Sequence, residues 1–518
     1  MTKNLITADE LKSWQFRLRA LYPLIYTIFF LLSPILFSLL KLNYLAIAFL
    51  IFLAVNWAFR SIQTLYGIVT GYILYKKSKE INWFKKLQNL IQHWEKLPSP
   101  EELPNNWNGF RLAIIIPVYK EDYPVLYSTL KSIKDSNFDL KKIDIIIASE
   151  ERAGIQTQNN IKKLKNVFKD LNIYNFIHPQ NIPGEVVGIA GPNLRWASMQ
   201  YFKLIKKQNV DPKNILMLKY DSDTKLHPDF LANLTCRYLL DNNRYQKFYT
   251  PAIILYSNNI WRVPIFSRVF WILLSFVILS SWQTLKHRAM SFSIYAFNFK
   301  TLIDIGFWDP VIGIDDTEFF IQAFIHFKTE FQGQMIYTPV FMDAVEGTSF
   351  LQTAKNLFKQ QIRWGAGAIV APITLYNLWK MRNGPDLLTR MKWTLYFIES
   401  YSLIPTASYL LSLGMPIILI INNYLTYLIA GHMIPLLLAT MMKVTILFSL
   451  IILYIILKIY REATNDSSKF AGRFFITFIE FYLVAINSII FSLIPYTLAQ
   501  IRIVLGKYGK FHVVEKIR

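Results

Sequence analysis

Asp221-Ser222-Asp223 stands directly after an apolar run, Ile215–Tyr220 (ILMLKY). Two carboxylates at i and i+2 on a strand-end loop can hold a divalent cation. That cation then bridges the oxygens of a diphosphate as an electrophile. The same residues also suit a solvated acidic turn, or a cap before His227-Pro228-Asp229. A second acidic pair lies in Gly313-Ile314-Asp315-Asp316-Thr317-Glu318-Phe319-Phe320, at the head of an apolar, helix-like segment. A carboxylate there can cap the helix and complement its dipole, or it can take the proton from an attacking hydroxyl. The third group is Gln360-Gln361-Ile362-Arg363-Trp364. Gln360, Arg363 and Trp364, at i, i+3 and i+4, share one helix face. An amide, a cation and an indole together can grip a sugar and assist a diphosphate. An interfacial amphipathic helix gives the same pattern, because Arg and Trp both favour membrane boundaries.

These groups need a scaffold that brings distant segments together. Leu112–Val118 (LAIIIPV) and Ile143–Ala148 (IDIIIA) are short continuous apolar runs, suited to strands buried on both faces of a parallel sheet. The segment between them is long enough for a crossover helix. Ile215–Tyr220 is a third strand candidate, ending in the Asp221 loop. Residues 82–383 therefore read as a soluble α/β domain. Arg268–Trp282 is very apolar but short, and a crossing there would put the acidic motifs on opposite sides of a bilayer. It is expected to lie on the membrane surface or be buried, not to span.

The flanks are of another kind. The chain is 53% hydrophobic with a formal net charge of +22, and the apolar residues come in blocks. Leu21–Leu40 and Leu42–Phe59, the latter extendable to Tyr75, are each long enough to cross a hydrocarbon core. Lys3, Lys12, Arg17 and Arg19 precede the pair and Lys76, Lys77, Lys79, Lys85 and Lys86 follow it, which predicts a hairpin with both ends cytosolic. Tyr396–Tyr460 has room for two or three spans and Phe474–Tyr496 for one more, six in all with the tail inside. Glu399, Lys443 and Glu480 fall in or near these spans, as functional groups, as charges snorkelling from helix ends or as a structural Lys–Glu pair. The expected division is 1–81, 82–383 and 384–518. The first apolar run starts late and leads into a second one, so no cleavable signal is expected. Cys236 is the only cysteine, which rules out an internal disulfide. No basic block carries a nucleic-acid fold signature, so the charge points to membrane lipid and cytosolic loops, not nucleic acid. Neither a G-x-x-x-x-G-K-[ST] loop nor H-E-x-x-H occurs, against an ATP-driven transporter or a zinc protease.

The ordered set of D-x-D, acidic pair and Q-x-x-R-W between membrane segments resembles the processive branch of glycosyltransferase family 2, which includes cellulose and hyaluronan synthases. The likeness covers roughly residues 110–380. It implies a GT-A type α/β nucleotide-sugar domain with flanking transmembrane α-helices, in the cell membrane, multi-pass, with the catalytic domain cytosolic. It implies inverting transfer of a hexose-type sugar from a nucleoside-diphosphate sugar, UDP-linked, to a growing polysaccharide. Transfer to a lipid-linked acceptor and an inactive scaffold or export subunit are the alternatives. Position by position, Pro117, Tyr119 and Glu121 match the first-strand exit that cradles the base, and Glu150 matches an acidic residue near the nucleotide. Asp221 and Asp223 would be the phosphate and metal carboxylates, with Mg²⁺ or Mn²⁺ as cofactor. Asp316 aligns with the base and Asp315 with its usual glutamate neighbour. Gln360, Arg363 and Trp364 match without gaps. Two departures stand out. Gly188-Ile189-Ala190-Gly191-Pro192-Asn193 has no lysine where relatives carry a Gly-Lys pair, and Lys219 takes a strand position that is usually apolar.

Overall fold

The computed structural model describes residues 6–284, 290–381, 384–422, 429–465 and 470–508. Its centre is a seven-stranded mixed sheet. The strands in chain order are β1 (Arg111–Val118), β2 (Ile143–Glu150), β3 (Asn172–His178), β4 (Ile215–Lys219), β5 (Lys225–Leu226), β6 (Lys247–Pro251), β7 (Ile254–Leu255), β8 (Tyr295–Asn298), β9 (Gln332–Ile336) and β10 (Val340–Phe341). The large sheet runs β3-β2-β1-β4-β8-β6-β9, and β5, β10 and β7 form a small second sheet. β1 pairs in parallel with both β2 and β4, and β2 with β3. β8 is antiparallel to β4 and β6, and β6 pairs in parallel with β9.

The three apolar runs identified in the sequence are β1, β2 and β4. Every residue of β2 and β4 is buried, as both-face coverage requires of a central parallel strand. Tyr123–Lys134 is the helix between β1 and β2. The chain turns from one side of β1 to the other between β3 and β4, so the carboxyl ends of β1 and β4 flank a topological switch point, where open α/β sheets bind ligands.

Trp14–Leu39 and Asn43–Lys79 form the expected hairpin, the second helix running unbroken past Phe59 to Lys79. Both are long and apolar enough to cross a membrane. So is Ile265–Thr284, yet most of its side chains are buried inside the protein. It lies so close to Asn43–Lys79 that a Cβ on Gly67 would sit 2.5 Å from Ser280 Oγ, and one on Gly71 2.5 Å from Leu279 Cδ1.

The C-terminal part holds Leu387–Ile398, continued through a π turn (Glu399–Leu403) into Ile404–Ile421, and then Ile429–Thr464. Two long helices, not three, therefore fill Tyr396–Tyr460 among the described residues. The last stretch, Phe470–Val504, is also long and apolar enough to cross. Both its ends nevertheless touch the α/β domain: Arg473 lies over the Trp261 ring at 4.3 Å, and the Tyr508 hydroxyl accepts from Gly313 N at 2.5 Å. At the opposite end of the molecule Asn422 Nδ2 donates to Asn43 Oδ1 at 2.5 Å, joining the hairpin tip to the Ile404–Ile421 helix. Two carboxylates in these helices pair with arginines. Glu399 meets Arg60, and Glu480 is gripped by two nitrogens of Arg268.

Candidate active site

A cleft of about 350 Å³ opens at the carboxyl ends of β1, β2 and β4. Its wall contains Pro117, Tyr119, Glu121, Glu150, Asp221, Asp223, Asp315, Asp316, Gln360, Arg363 and Trp364. All the candidate residues from five separated segments of the chain thus share one space.

The β1 exit is tied to the D-x-D loop by one side chain. Glu121 accepts from Tyr119 N (2.7 Å) with one oxygen and from Ser222 Oγ (2.9 Å) with the other. At the end of β2, Glu150 accepts from Arg152 Nε at 2.8 Å, and the Arg152 guanidinium lies 4.9 Å from the centre of the Tyr119 ring. Burial pushes the Glu150 carboxyl up, and Arg152 opposes it. Gly191 is packed so tightly that a Cβ would lie 2.5 Å from Asp309 O, and Asn193 donates to Ala148 O at 2.5 Å. The Gly188–Asn193 segment is therefore a close-approach wall of the cleft, and it offers no cation.

The cation comes from β4. Lys219 is buried, and its Nζ lies 2.7 Å from Asp221 Oδ1, 3.0 Å from Asp315 Oδ2 and 2.9 Å from Ser293 O. Burial alone would lower its pKa. Asp221, Asp315 and Asp316 outweigh that and hold the ammonium well above the usual lysine range. Asp316 opens the Asp315–His326 helix. Its Oδ2 accepts from Ser293 N (3.0 Å) and its Oδ1 from Thr317 N (2.6 Å). Burial, then Asp315, push this carboxyl up to about 6, against Lys219 and the two N–H donors.

Trp364 ends the Phe350–Gly365 helix, which Ser349 caps by accepting from Gln352 N. Its ring packs near Trp271 (5.8 Å between ring centres), Phe292 (6.1 Å) and Phe270 (6.3 Å). The indole is thus held by protein rings at the edge of the cleft.

Several cleft residues were not singled out in the sequence. Trp271 comes from the apolar Ile265–Thr284 helix, where an aromatic residue does not stand out. Asp343 and Glu346 follow β10 and are fixed by consecutive asparagines. Asn258 donates to Asp343 Oδ1 (2.8 Å), and Asn259 to Glu346 Oε2 (2.8 Å). The spacing of Asp343 and Glu346 just past a strand was the available clue. Tyr401 and Tyr496 reach the cleft from the C-terminal helices, beside the two π turns at Glu399–Leu403 and Ile489–Leu493.

The electrostatics favour a divalent cation with any phosphate ligand. Among the described residues the cleft wall carries eight carboxylates (Glu121, Glu150, Asp221, Asp223, Asp315, Asp316, Asp343, Glu346) against Lys219 and Arg363. A diphosphate brings further negative charge into that field and needs a counter-cation to stay. No three His, Cys, Asp or Glu residues among those described cluster tightly enough to cage a metal. An aspartate or two completed by substrate oxygens and water suits Mg²⁺ or Mn²⁺.

No protein-family model matches the chain, and no curated protein does. Among solved structures it is similar to the mannosyltransferase PcManGT from Pyrobaculum calidifontis in complex with GDP-Man and Mn²⁺. The identity is 12% and the TM-score 0.40, over 86% of this chain and 97% of that one. It is also similar to S. aureus TarS 1–349 in complex with UDP-GlcNAc, at 11% identity and TM-score 0.35, over 78% of this chain and 95% of the other.

Proposed function

We propose that this protein is a membrane glycosyltransferase of the inverting type that takes a sugar from a nucleoside-diphosphate donor, UDP-linked, and adds it to the hydroxyl of a growing polysaccharide. The observation that carries the reading is the single cleft at the β1/β4 switch point that gathers the D-x-D, the acidic pair and the Gln360-Arg363-Trp364 face. Among the described residues, four helices long and apolar enough to cross a membrane accompany it.

In this reading the base stacks near Tyr119, with Glu121 and Glu150 at its polar edges. Asp223 and Asp221 would hold Mg²⁺ or Mn²⁺, which supplies positive charge to the departing diphosphate. Arg363, which also lines the cleft, adds a further cation. Asp316 accepts the proton of the acceptor hydroxyl. Its carboxylate is already oriented by Ser293 N and Thr317 N, so little reorganisation accompanies the transfer. Trp364 offers the edge of an aromatic cluster as a platform for the acceptor sugar.

The test is release of nucleoside diphosphate by the purified protein from a panel of nucleotide sugars, with and without EDTA. Turnover of one donor, abolished by EDTA and by Asp223→Ala and restored by Mn²⁺, is expected. Turnover that persists without divalent ions removes the metal role of the D-x-D. No turnover of any donor by well-folded protein, with acceptor supplied, leaves the scaffold alternative. Product length on gels separates a polymer from a single transfer to a lipid-linked acceptor.

A further inference from the structure

We infer that Lys219 is a fixed cation of this site. It ties Asp221 of the D-x-D motif to Asp315 of the acidic pair, and so competes with a divalent cation for Asp221. The inference rests on the glycosyltransferase reading and deepens it.

Residues i and i+2 of a strand point to the same face, so Lys219 near the end of β4 is directed to the side taken by Asp221 just beyond it. The side chain is 4% exposed. An ammonium has three donors, and Lys219 has three acceptors within 3.0 Å: Asp221 Oδ1, Asp315 Oδ2 and Ser293 O. These lie on three separate stretches of chain: the β4 exit, the head of the Asp315–His326 helix and the lead-in to β8. β8 pairs with β4 so that Tyr295 is opposite Lys219, which brings Ser293 within reach. The next residue, Asp316, accepts from the backbone of the same Ser293. The D-x-D loop and the acidic pair are thereby locked at one mutual distance by a charge that belongs to the fold.

That charge has a second consequence. With one oxygen of Asp221 committed to Lys219, a divalent cation near Asp221 would face the ammonium at short range and be repelled. The charge of a buried lysine belongs to the fold and does not depend on a bound ion. Lys219 therefore keeps the acidic cleft partly neutralised between turnovers, when an anionic donor must enter.

The experiment uses the full chain in detergent and compares wild type with Lys219→Met, Lys219→Arg and the double variant Lys219→Met/Asp315→Asn. Mn²⁺ binding is read by electron paramagnetic resonance without nucleotide, and kcat and KM for the donor are read separately. Lys219→Met should bind Mn²⁺ at least roughly tenfold more tightly, because a competing charge is gone and Asp221 is freed, while kcat falls. Lys219→Arg should stay close to wild type in Mn²⁺ affinity. If Lys219→Met does not fold, the double variant carries the test. It removes a negative charge along with the positive one and should still bind Mn²⁺ more tightly than wild type. A wild type with no measurable Mn²⁺ affinity supports the inference if a folded variant acquires it. Mn²⁺ affinity equal to or weaker than wild type in the folded variants overturns it, and so does a set in which no protein binds Mn²⁺. A wild type that binds Mn²⁺ but turns over no nucleotide sugar defeats the glycosyltransferase reading and leaves this comparison of affinities intact.

Discussion

Asp316 receives two backbone N–H groups and sits one residue from a carboxylate that Lys219 neutralises. Its carboxyl is pushed up to about 6, first by burial and then by Asp315. A base must be ionised to accept a proton, so kcat/KM is expected to rise with pH through that region and level off above it. The same shift has the opposite sign for stability. The folded chain holds this proton more tightly than the unfolded one, so the contribution is complete below about pH 4 and is lost as pH rises through the folded value. A pH–rate profile that falls between about pH 5 and pH 7 would contradict the role. Asp316→Asn should bind UDP normally and lose transfer by roughly 10²–10⁴-fold, with Asp315→Asn milder. Loss of UDP binding in the same variant would identify a structural cap instead. Trp364 needs a gentler change. Truncation to alanine would open a cavity among Trp271, Phe292 and Phe270, with a folding cost of about 3–5 kcal/mol if the site does not collapse. Trp364→Phe keeps most of the packing. If the indole is an acceptor platform, this variant should raise KM for the acceptor several-fold with the donor KM unchanged. Equal kinetics would return the residue to a packing role.

At the scale of elements, the Ile265–Thr284 helix is fixed to its neighbours in two ways. Gly67 and Gly71 lie one turn apart on the Asn43–Lys79 helix and let Leu279 and Ser280 approach its backbone. At the other end Arg268 grips Glu480 of the Phe470–Glu480 helix. Because Trp271 lies on the same helix and lines the cleft, its position there depends on both anchors. Gly67→Val places a branched carbon with two methyl groups where Ser280 already stands. It should lower stability by about 1–3 kcal/mol and reduce turnover although the residue is far from the cleft. Thermal unfolding in detergent checks the first, and an unchanged midpoint with normal activity would show that the close approach is dispensable. In the sequence Arg268 is only the first residue of an apolar segment, and Glu480 a charge near a span. Their bidentate geometry identifies a structural ion pair.

On the scale of the whole molecule, the hairpin tip at Lys41 and the end of the Ile404–Ile421 helix lie together, away from the α/β domain, where Asn43 and Asn422 bond. The N-terminal end, the end of Asn43–Lys79 and both ends of Phe470–Val504 lie on the domain side. The positive-inside rule predicts that this side is cytosolic, which is where the proposed nucleotide-sugar donor would be met. A cysteine at Lys41 is expected to react with an impermeant thiol reagent in intact cells. One at Asn105 should react only after permeabilisation. Labelling of Asn105→Cys from outside would reverse the orientation and, with it, the proposed use of a cytosolic donor.

The strands β1, β2 and β4 were legible because a strand buried on both faces must be a short run of apolar, largely β-branched residues, and that needs no knowledge of neighbours. The hairpin was legible because bilayer thickness sets the length of an apolar run. The acidic and aromatic motifs could be found locally too, since each is a pattern of a few adjacent residues. Tertiary structure alone decided what those motifs meet. Lys219 looked like an intruder in an apolar strand until β8 and the Asp315 helix supplied its acceptors, residues 74 and 96 positions away. Asp343 and Glu346 joined the cleft through Asn258 and Asn259, which no spacing links to them. The π turns that carry Tyr401 and bring Tyr496 to the cleft leave no periodic trace, because one extra residue per turn shifts a helix face without changing its composition. Charge balance, close approach and cleft shape depend on distances across the fold, and sequence patterns record only distances along the chain.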